Sequence, residues 1–364
     1  MTQARYIMVG GFLGAGKTTA ILRLAEMLRD AGQRVGLITN DQSVNLVDTA
    51  MLAAHGFPVE EITGGCFCCR FNSLTDAADK LSEIERPDVF LAEPVGSCTD
   101  LTATVSYPLR RLYGDAFSIA PYTVLVDPVR VERILGLATG NAFSPKVAYI
   151  YNKQLEEADL IVVNKLDTLD PERLAALVTA LSKRFPDAQV LTISARDGTN
   201  VAEWLAALQC DDMPRGDAME VDYETYAEGE ALLGWLNATV ALSSPAEFDG
   251  NAYLVSLTDA VHRRLVAHDI EVAHLKMTLT PDAGTDLAVV NLVRNGGKVE
   301  ASHTLNEPLR AGECVVNLRA EGDPETLRGV LADALASLGI PAVVTHVEAF
   351  RPGKPVPTHR MVTG

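Results

Sequence analysis

Long apolar runs are missing from this 364-residue chain, and its opening stretch, MTQARYIMVGGFLGAGK, has neither a basic start nor a small-residue cleavage site. A membrane span needs roughly 20 apolar residues in a row, and a secretory leader needs a charged start and an apolar core. The sequence therefore predicts a cytoplasmic protein with no membrane partner. Positive charge is also scarce: 31 Lys and Arg face 48 Asp and Glu, a formal net charge of −17. Such a field repels nucleic acid and anionic lipid, so nucleic acid is excluded as a partner and any phosphate ligand must be held by a local site. Cysteines number only six, three crowded at 66, 68 and 69 and three scattered at Cys98, Cys210 and Cys314. That pattern is unlike the framework of a disulfide-stapled secreted domain, so reduced thiols are expected. No internal repeat or low-complexity tract is present.

What the chain does have is enough hydrophobic residues, 48%, and enough length for two domains. Near-continuous apolar runs recur at 5–10, 34–40, 88–93, 122–127, 159–164 and 189–194, as expected of strands buried on both faces. Amphipathic stretches separate several of them. Over 17–30, Ala20, Ile21, Leu24, Ala25 and Leu28 share one face; over 74–86, Leu74, Ala77, Ala78, Leu81 and Ile84 do the same, ending before Pro87. Alternating strand and helix predicts an α/β fold, a P-loop parallel sheet with helices on both faces, over 1–210. The acidic, Pro- and Gly-broken segment 211–222 is expected to be a linker. Over 223–364 the pattern changes to strands at 234–242, 272–279, 286–294, 313–319 and 341–348 with helices at 251–269 and 324–338. This predicts a smaller α+β domain, for which a ferredoxin-like arrangement is one candidate.

GGFLGAGKTT contains Gly11-x-x-x-x-Gly16-Lys17-Thr18 directly after the first strand and at the start of the first helix, the context a phosphate-binding loop requires. Glycines at 11, 14 and 16, with Ala15, let backbone N–H groups turn inward around phosphates, and the helix N-terminus adds favourable partial charge. Lys17 is placed to reach the β- and γ-phosphates, and the Thr18 hydroxyl to ligate Mg²⁺, with Thr19 following. Asn164-Lys165-x-Asp167 follows a later strand. A carboxylate at Asp167 matches the N1–H and N2–H donors of guanine and finds no such pair on adenine, so GTP is the expected nucleotide. Lys165 is expected to lie along the base plane, and Ser194-Ala195, after the next strand, to support the base. Hydrolysis calls for acidic groups near Mg²⁺ and the attacking water. Asp41 after the second strand and Glu93 after the third are the candidates, with Lys17 the third catalytic residue and Gly96 a backbone donor toward the γ-phosphate. Asp127 is similarly placed but precedes Pro128, where a helix-capping role competes.

Cys66-x-Cys68-Cys69 offers up to three thiolates, which favour Zn²⁺, Cu(I) or other soft to borderline ions. On an extended chain Cys69 would point away from the other two, so convergence needs a turn, for which Gly64 and Gly65 are placed. Buried cysteines acting as small hydrophobes remain the alternative. A fourth ligand could come from Asp41, His55, Glu60, Glu61, a substrate group or another molecule. Cys98, Cys210 and Cys314 are read as structural or incidental, and His262, His268 and His274 as packing or solvent-facing.

Taken together and in order, GGFLGAGKTT, TGGCFCC, the glutamate of AEPVG and YNKQLEEADLIVVNKLD resemble the CobW-like GTPases, relatives of the urease and hydrogenase nickel-insertion GTPases, over residues 1 to about 205. The resemblance implies a GTPase of the SIMIBI class with a smaller C-terminal domain, acting in metal or corrinoid-cofactor handling. Two positions depart from the family pattern: Val44 stands where a second acidic residue is usual, and Pro94 replaces the Ser or Thr after the glutamate. The leading expectation is a GTP-binding, slowly hydrolysing metallochaperone or insertion protein. It would bind GTP or GDP with Mg²⁺, carry Zn²⁺ or another transition ion such as Co²⁺ or Ni²⁺ on the cysteine loop, and serve an unidentified client metalloenzyme or corrinoid protein; a homodimer is among its open assemblies. A GTP-dependent chaperone or reactivation factor for such an enzyme is the alternative, and a P-loop kinase acting on a small molecule the third.

Overall fold

Strands β1 (Ala4–Gly10), β2 (Val35–Asn40), β3 (Val59–Ile62), β4 (Val89–Glu93), β5 (Phe117–Ile119), β6 (Thr123–Val126), β7 (Leu160–Val163) and β8 (Gln189–Thr192) form one sheet in the computed structural model. The described residues are 3–40, 49, 52–53, 55–140, 143–210, 218–284 and 286–363. Asp41 and Val44 lie outside them, as do residues 211–217 of the expected linker. The strand order is β3-β2-β4-β1-β6-β7-β8, with β5 paired to β1, and every pairing is parallel. In such a sheet all the strand ends that follow the first half of a βα unit share one edge, where ligands of this architecture collect. Gly10, Asn40, Ile62, Glu93, Val126, Val163 and Thr192 end their strands there.

Apolar continuity made the central strands: β2, β4, β6 and β7 are buried at every position. The helix Lys17–Asp30 buries Ala20, Ile21, Leu24, Ala25 and Leu28 against them, the face its periodicity predicts. Each such leucine or isoleucine contributes roughly 1.5–3 kcal/mol by burial. The helix after the cysteines spans Phe71–Ile84, beginning earlier than its apolar period suggests. β3 and β5 were not expected as strands. β3 reads VEEI and forms the sheet edge, with three of its four residues half-exposed, so it lacks the apolar run of a buried strand.

The chain divides into two compact units, Met1–Ala227 with Pro355–Gly364, and Glu228–Lys354. The last ten residues thus cluster with the first unit, whereas the sequence pattern had put them with the second. In the second unit β9 (Leu233–Phe248), β10 (Glu271–Pro281), β11 (Ala288–Leu292), β12 (Glu300–His303), β13 (Leu309–Glu321) and β14 (Ala342–Phe350) form an antiparallel sheet in the order β12-β11-β10-β13-β9-β14. Helices Gly250–Ala267 and Pro324–Ala336 connect β9 to β10 and β13 to β14. Strands β9, β10, β13 and β14 with these two helices make a split βαβ, ferredoxin-like arrangement, to which β11 and β12 add a hairpin on the β10 side. β12 was not expected: EASH has no apolar alternation to mark it.

Candidate functional site

The loop between β1 and the helix Lys17–Asp30 turns through Gly11, Gly14 and Gly16 at φ of 127°, 78° and 89°. At Gly11 and Gly16 the close neighbours are as restrictive as the dihedrals. A side-chain carbon at Gly11 would meet the Leu125 carbonyl at 2.2 Å, and one at Gly16 would meet Asn164 Nδ2 at 2.5 Å. Gly16 starts the helix with no side-chain cap and no acidic residue in the first turn. The N–H groups of that turn therefore converge on the loop, as an anion site requires. Lys17 and Thr18 are buried, while Thr19 faces out. Lys17 Nζ stands 3.7 Å from Glu93 Oε1, to which the Thr18 hydroxyl donates at 3.3 Å. Glu93, at the end of β4, thus meets both groups that sequence assigned to phosphate and Mg²⁺. Gly96, three residues on, lies so close to the loop that a side-chain carbon there would sit 3.0 Å from the Leu13 amide nitrogen.

On one side of this loop β7 and β8 bring the guanine-type motif together. Asn164 is a buried brace: its Nδ2 donates to the Ala15 carbonyl at 2.9 Å, and its Oδ1 accepts from the Lys165 and Ala195 amides at 2.8 and 3.0 Å. One side chain so fixes the phosphate loop, the Asn-Lys-x-Asp turn and the Ser-Ala loop. Lys165, at φ 60°, reaches back with its Nζ to the Gly14 carbonyl at 2.9 Å and to Asp127 at 2.8 Å. Of the two roles weighed for Asp127, the structure shows the cap: its other oxygen caps the helix Pro128–Ile134 through the Arg130 amide. Asp167 Oδ1 accepts from the Ser194 hydroxyl at 2.8 Å, and Arg196 approaches its Oδ2 at 3.8 Å. The carboxylate is held in orientation and is partly exposed.

On the other side, the chain leaves β3 and turns at Gly64 and Gly65, with φ of 73° and 155°. The Cys69 and Arg70 amides both donate to the Cys66 carbonyl, closing a tight turn ahead of the helix Phe71–Ile84. The turn brings all three sulfurs together: Cys66 to Cys68 at 2.7 Å, Cys66 to Cys69 at 3.2 Å and Cys68 to Cys69 at 3.7 Å. These are free thiols. Thiolates about 2.3 Å from a tetrahedral zinc stand about 3.8 Å apart, so the cluster is near that size and would open slightly around an ion. Among the described residues, the sulfurs of 66, 68 and 69 form the one group of three metal-ligating side chains within 4.8 Å of each other, and His55, Glu60 and Glu61 do not join it. Glu60 instead pairs with Lys80.

Crowding makes the thiols unequal. The Cys66 sulfur is surrounded by the Cys68, Cys69 and Cys98 side chains as hydrogen-bonding neighbours, and this holds its pKa well below the ordinary thiol range. That charge, with burial, pushes Cys68 up and raises Cys69 to about 11. The cluster is thus prepared to hold one negative charge, and a metal ion would draw out the remaining protons.

Three supporting features carried no sequence signal. Asn40, the last residue of β2, donates through Nδ2 to the Ile62 and Gly65 carbonyls at 2.9 and 2.7 Å and accepts at Oδ1 from the Phe67 amide at 2.9 Å. It therefore grips the chain on both sides of Cys66. Gln154, buried on the helix Pro145–Glu156, donates to the carbonyls of Gly96 and Cys98 at 2.9 and 2.8 Å. The C-terminal tail runs along the cysteine turn: the Val356 amide donates to Cys69 Sγ at 3.3 Å and the Thr358 amide to the Cys68 carbonyl at 2.8 Å. Arg360 anchors the same tail through an ion pair at 2.8 Å to the buried Asp100. No spacing in the sequence could show that residues 356 and 69 meet.

Comparison with known proteins bears on this arrangement. The nucleotide-binding domain model of the CobW/HypB/UreG family matches residues 5–192. A zinc chaperone CobW of Sinorhizobium sp is 30% identical over 221 residues, 55% of this chain and 61% of that relative. The zinc chaperone YeiR of Escherichia coli is 30% identical over 188 residues, 50% of this chain and 53% of its own length. The matched stretch thus spans somewhat over half of these relatives. Among solved structures, the Zn(II)-bound YjiA GTPase from E. coli aligns with 92% of this chain and 99% of its own at 15% identity and a TM-score of 0.38. Because the family model covers more than half of its length, this chain belongs to the CobW/HypB/UreG nucleotide-binding family.

Proposed function

We propose that the protein is a GTP-hydrolysing metallochaperone that binds a transition ion, Zn²⁺ first among the candidates, on the thiols of Cys66, Cys68 and Cys69. One observation carries the reading: the phosphate loop after β1 and the thiol cluster after β3 occupy the same edge of one sheet. The names of the relatives, zinc chaperones in both cases, support zinc as cargo. Thr18 and Glu93 supply a hydroxyl and a carboxylate, the hard oxygen donors that suit Mg²⁺. Bound there, the ion would neutralise charge on the β- and γ-phosphates. Lys17 would contact those phosphates, the Gly96 amide would face the γ-phosphate, and Asp41 is assigned to the attacking water on its sequence position alone. Gly11, Gly14, Ala15, Gly16 and Thr19 shape the phosphate loop, while Asn164, Lys165, Asp167, Ser194 and Ala195 hold the base. Without a partner to add positive charge, turnover is expected to be low. The client is a metalloenzyme or corrinoid protein, and a homodimer is one assembly the reading allows.

Phosphate release tests the reaction class. The protein with Mg²⁺ and GTP alone should liberate inorganic phosphate slowly and do so far less with ATP. Release that requires an added small-molecule acceptor would favour a kinase instead.

Asn40→Ala should weaken the cargo site without touching a sulfur. The substitution strands the Ile62 carbonyl and the Phe67 amide, a cost of about 1–3 kcal/mol per buried group. Loss of an outer support of this kind lowers metal affinity by roughly 10–100-fold. Competition of the variant and the wild type against a zinc chelator, at equal occupancy by GDP, measures it; equal affinities would show that the turn holds itself.

A further inference from the structure

The last residues of the chain form a strap across the cysteine turn. After Pro355 the sequence reads Val-Pro-Thr-His-Arg-Met, and this segment is docked at both ends. At one end the Val356 amide donates to Cys69 Sγ at 3.3 Å, the Thr358 amide to the Cys68 carbonyl at 2.8 Å and the Thr358 hydroxyl to the Cys69 carbonyl at 3.2 Å. The His359 ring stands edge-on to Phe71, the first residue of the following helix, with ring centroids 5.0 Å apart. At the other end Arg360 pairs through Nε with the buried Asp100 at 2.8 Å and donates to the Met219 carbonyl at 2.8 Å, while the Met361 amide donates to the Ala103 carbonyl at 2.8 Å. Breaking an ion pair to a buried carboxylate leaves an uncompensated charge, so the far end is a firm anchor. Prolines on both sides of Val356 stiffen the near end, and Pro357 keeps Val356 out of the helical region. The hydrogen bonds at the turn all end on Cys68 or Cys69, and one of them ends on a sulfur.

We propose that Val356 is a positioning residue of the metal site, acting through its backbone amide, and that the segment 356–361 is a clasp that holds Cys69 facing Cys66 and Cys68. This rests on the metal-binding reading above. The three thiols are not equally held by the rest of the fold. Asn40 fixes the Gly65 carbonyl and the Phe67 amide on either side of Cys66, and Cys66 and Cys68 are buried, whereas Cys69 lies beyond that grip and is half-buried. The tail supplies for Cys69 what Asn40 supplies for Cys66. An N–H aimed at a sulfur favours its charged form, which is the form that ligates a metal. Because the donor is a backbone group set between two prolines and tied down at Thr358 and Arg360, its direction is fixed. Cys69 is also the most exposed of the three, so the clasp that holds it sets how fast a bound ion leaves.

Val356→Pro in the full chain tests this, because it deletes the amide hydrogen and little else. The Val356 side chain is 71% exposed, and a proline ring suits the extended backbone that precedes Pro357. Val356→Ala keeps the amide and serves as the control. Competition against a zinc chelator, at equal occupancy by GDP, should show roughly 10–100-fold weaker binding and faster release for Val356→Pro, with wild-type values for Val356→Ala. Co²⁺ in place of zinc gives a second reading. Without the N–H donor the sulfur lone pairs lie higher in energy, so the sulfur-to-cobalt charge-transfer band should move to longer wavelength in Val356→Pro alone. Wild-type affinity in Val356→Pro would overturn the assignment. Equal losses in both variants, or weaker binding with an unshifted band, would also overturn it, leaving the tail as a surface support that does not act on the sulfur. Failure of the wild type to bind either ion would remove the metal-binding reading itself, and the clasp with it.

Discussion

Asp167→Asn should shift the nucleotide preference from guanosine to xanthosine triphosphate. The carboxylate is oriented by the Ser194 hydroxyl, and guanine offers it two N–H donors. Asparagine presents one acceptor and one donor, which suits xanthine, whose exocyclic amine is replaced by a carbonyl. Two hydrogen bonds to a charged group contribute about 1.5–3 kcal/mol each, so GTP affinity should drop by roughly 10²–10⁴-fold while xanthosine triphosphate gains. Asparagine keeps the oxygen that Ser194 approaches, and the brace built on Asn164 does not involve Asp167, so the loop should retain its shape. Equilibrium competition against a fluorescent guanine nucleotide reads the two affinities. An unchanged preference would mean that the base is read elsewhere.

The second large effect belongs to the sulfurs. Cys66→Ser, Cys68→Ser and Cys69→Ser together should abolish stoichiometric zinc binding while GTP binding survives. Structural zinc on thiolate sites is worth about 10–16 kcal/mol in apparent binding free energy, and hydroxyls ionise too reluctantly to replace thiolates. The residues proposed to hold the nucleotide lie in the loop after β1 and at the ends of β7 and β8, and their mutual contacts use no cysteine. Zinc retained at full stoichiometry by the triple variant would place the metal somewhere else on the chain. Loss of GTP binding together with zinc would instead show that the turn supports the whole sheet edge.

Much of this edge could be read from sequence because its parts are contiguous. The phosphate loop, the Asn-Lys-x-Asp turn and the three clustered cysteines each lie within a few residues, so local spacing reports local geometry. Central strands were legible for a related reason: burial on both faces writes an unbroken apolar run. β3 was not, because an edge strand reading VEEI is charged where it meets solvent. The supports of the site were hidden for a different reason. Asn40, Gln154 and the tail from Val356 to Arg360 act through backbone amides and carbonyls far away in the chain, and such contacts leave no mark on composition or period. Lys165 was expected to lie along a base; no spacing foretold that its Nζ meets the Gly14 carbonyl and Asp127, a tie between the phosphate loop and the turn after β7.

We propose that the nucleotide and metal sites act as one device, in which the state of the phosphate site sets the hold on the cargo. A ligand shifts such an equilibrium only through differential affinity for its two states. Anaerobic zinc titration of the wild type, once saturated with GDP and once with a non-hydrolysable GTP analogue, measures that difference directly. Affinities that differ by about 5–150-fold, the span of ordinary allosteric coupling, are the predicted result. Equal affinities in the two states would contradict it.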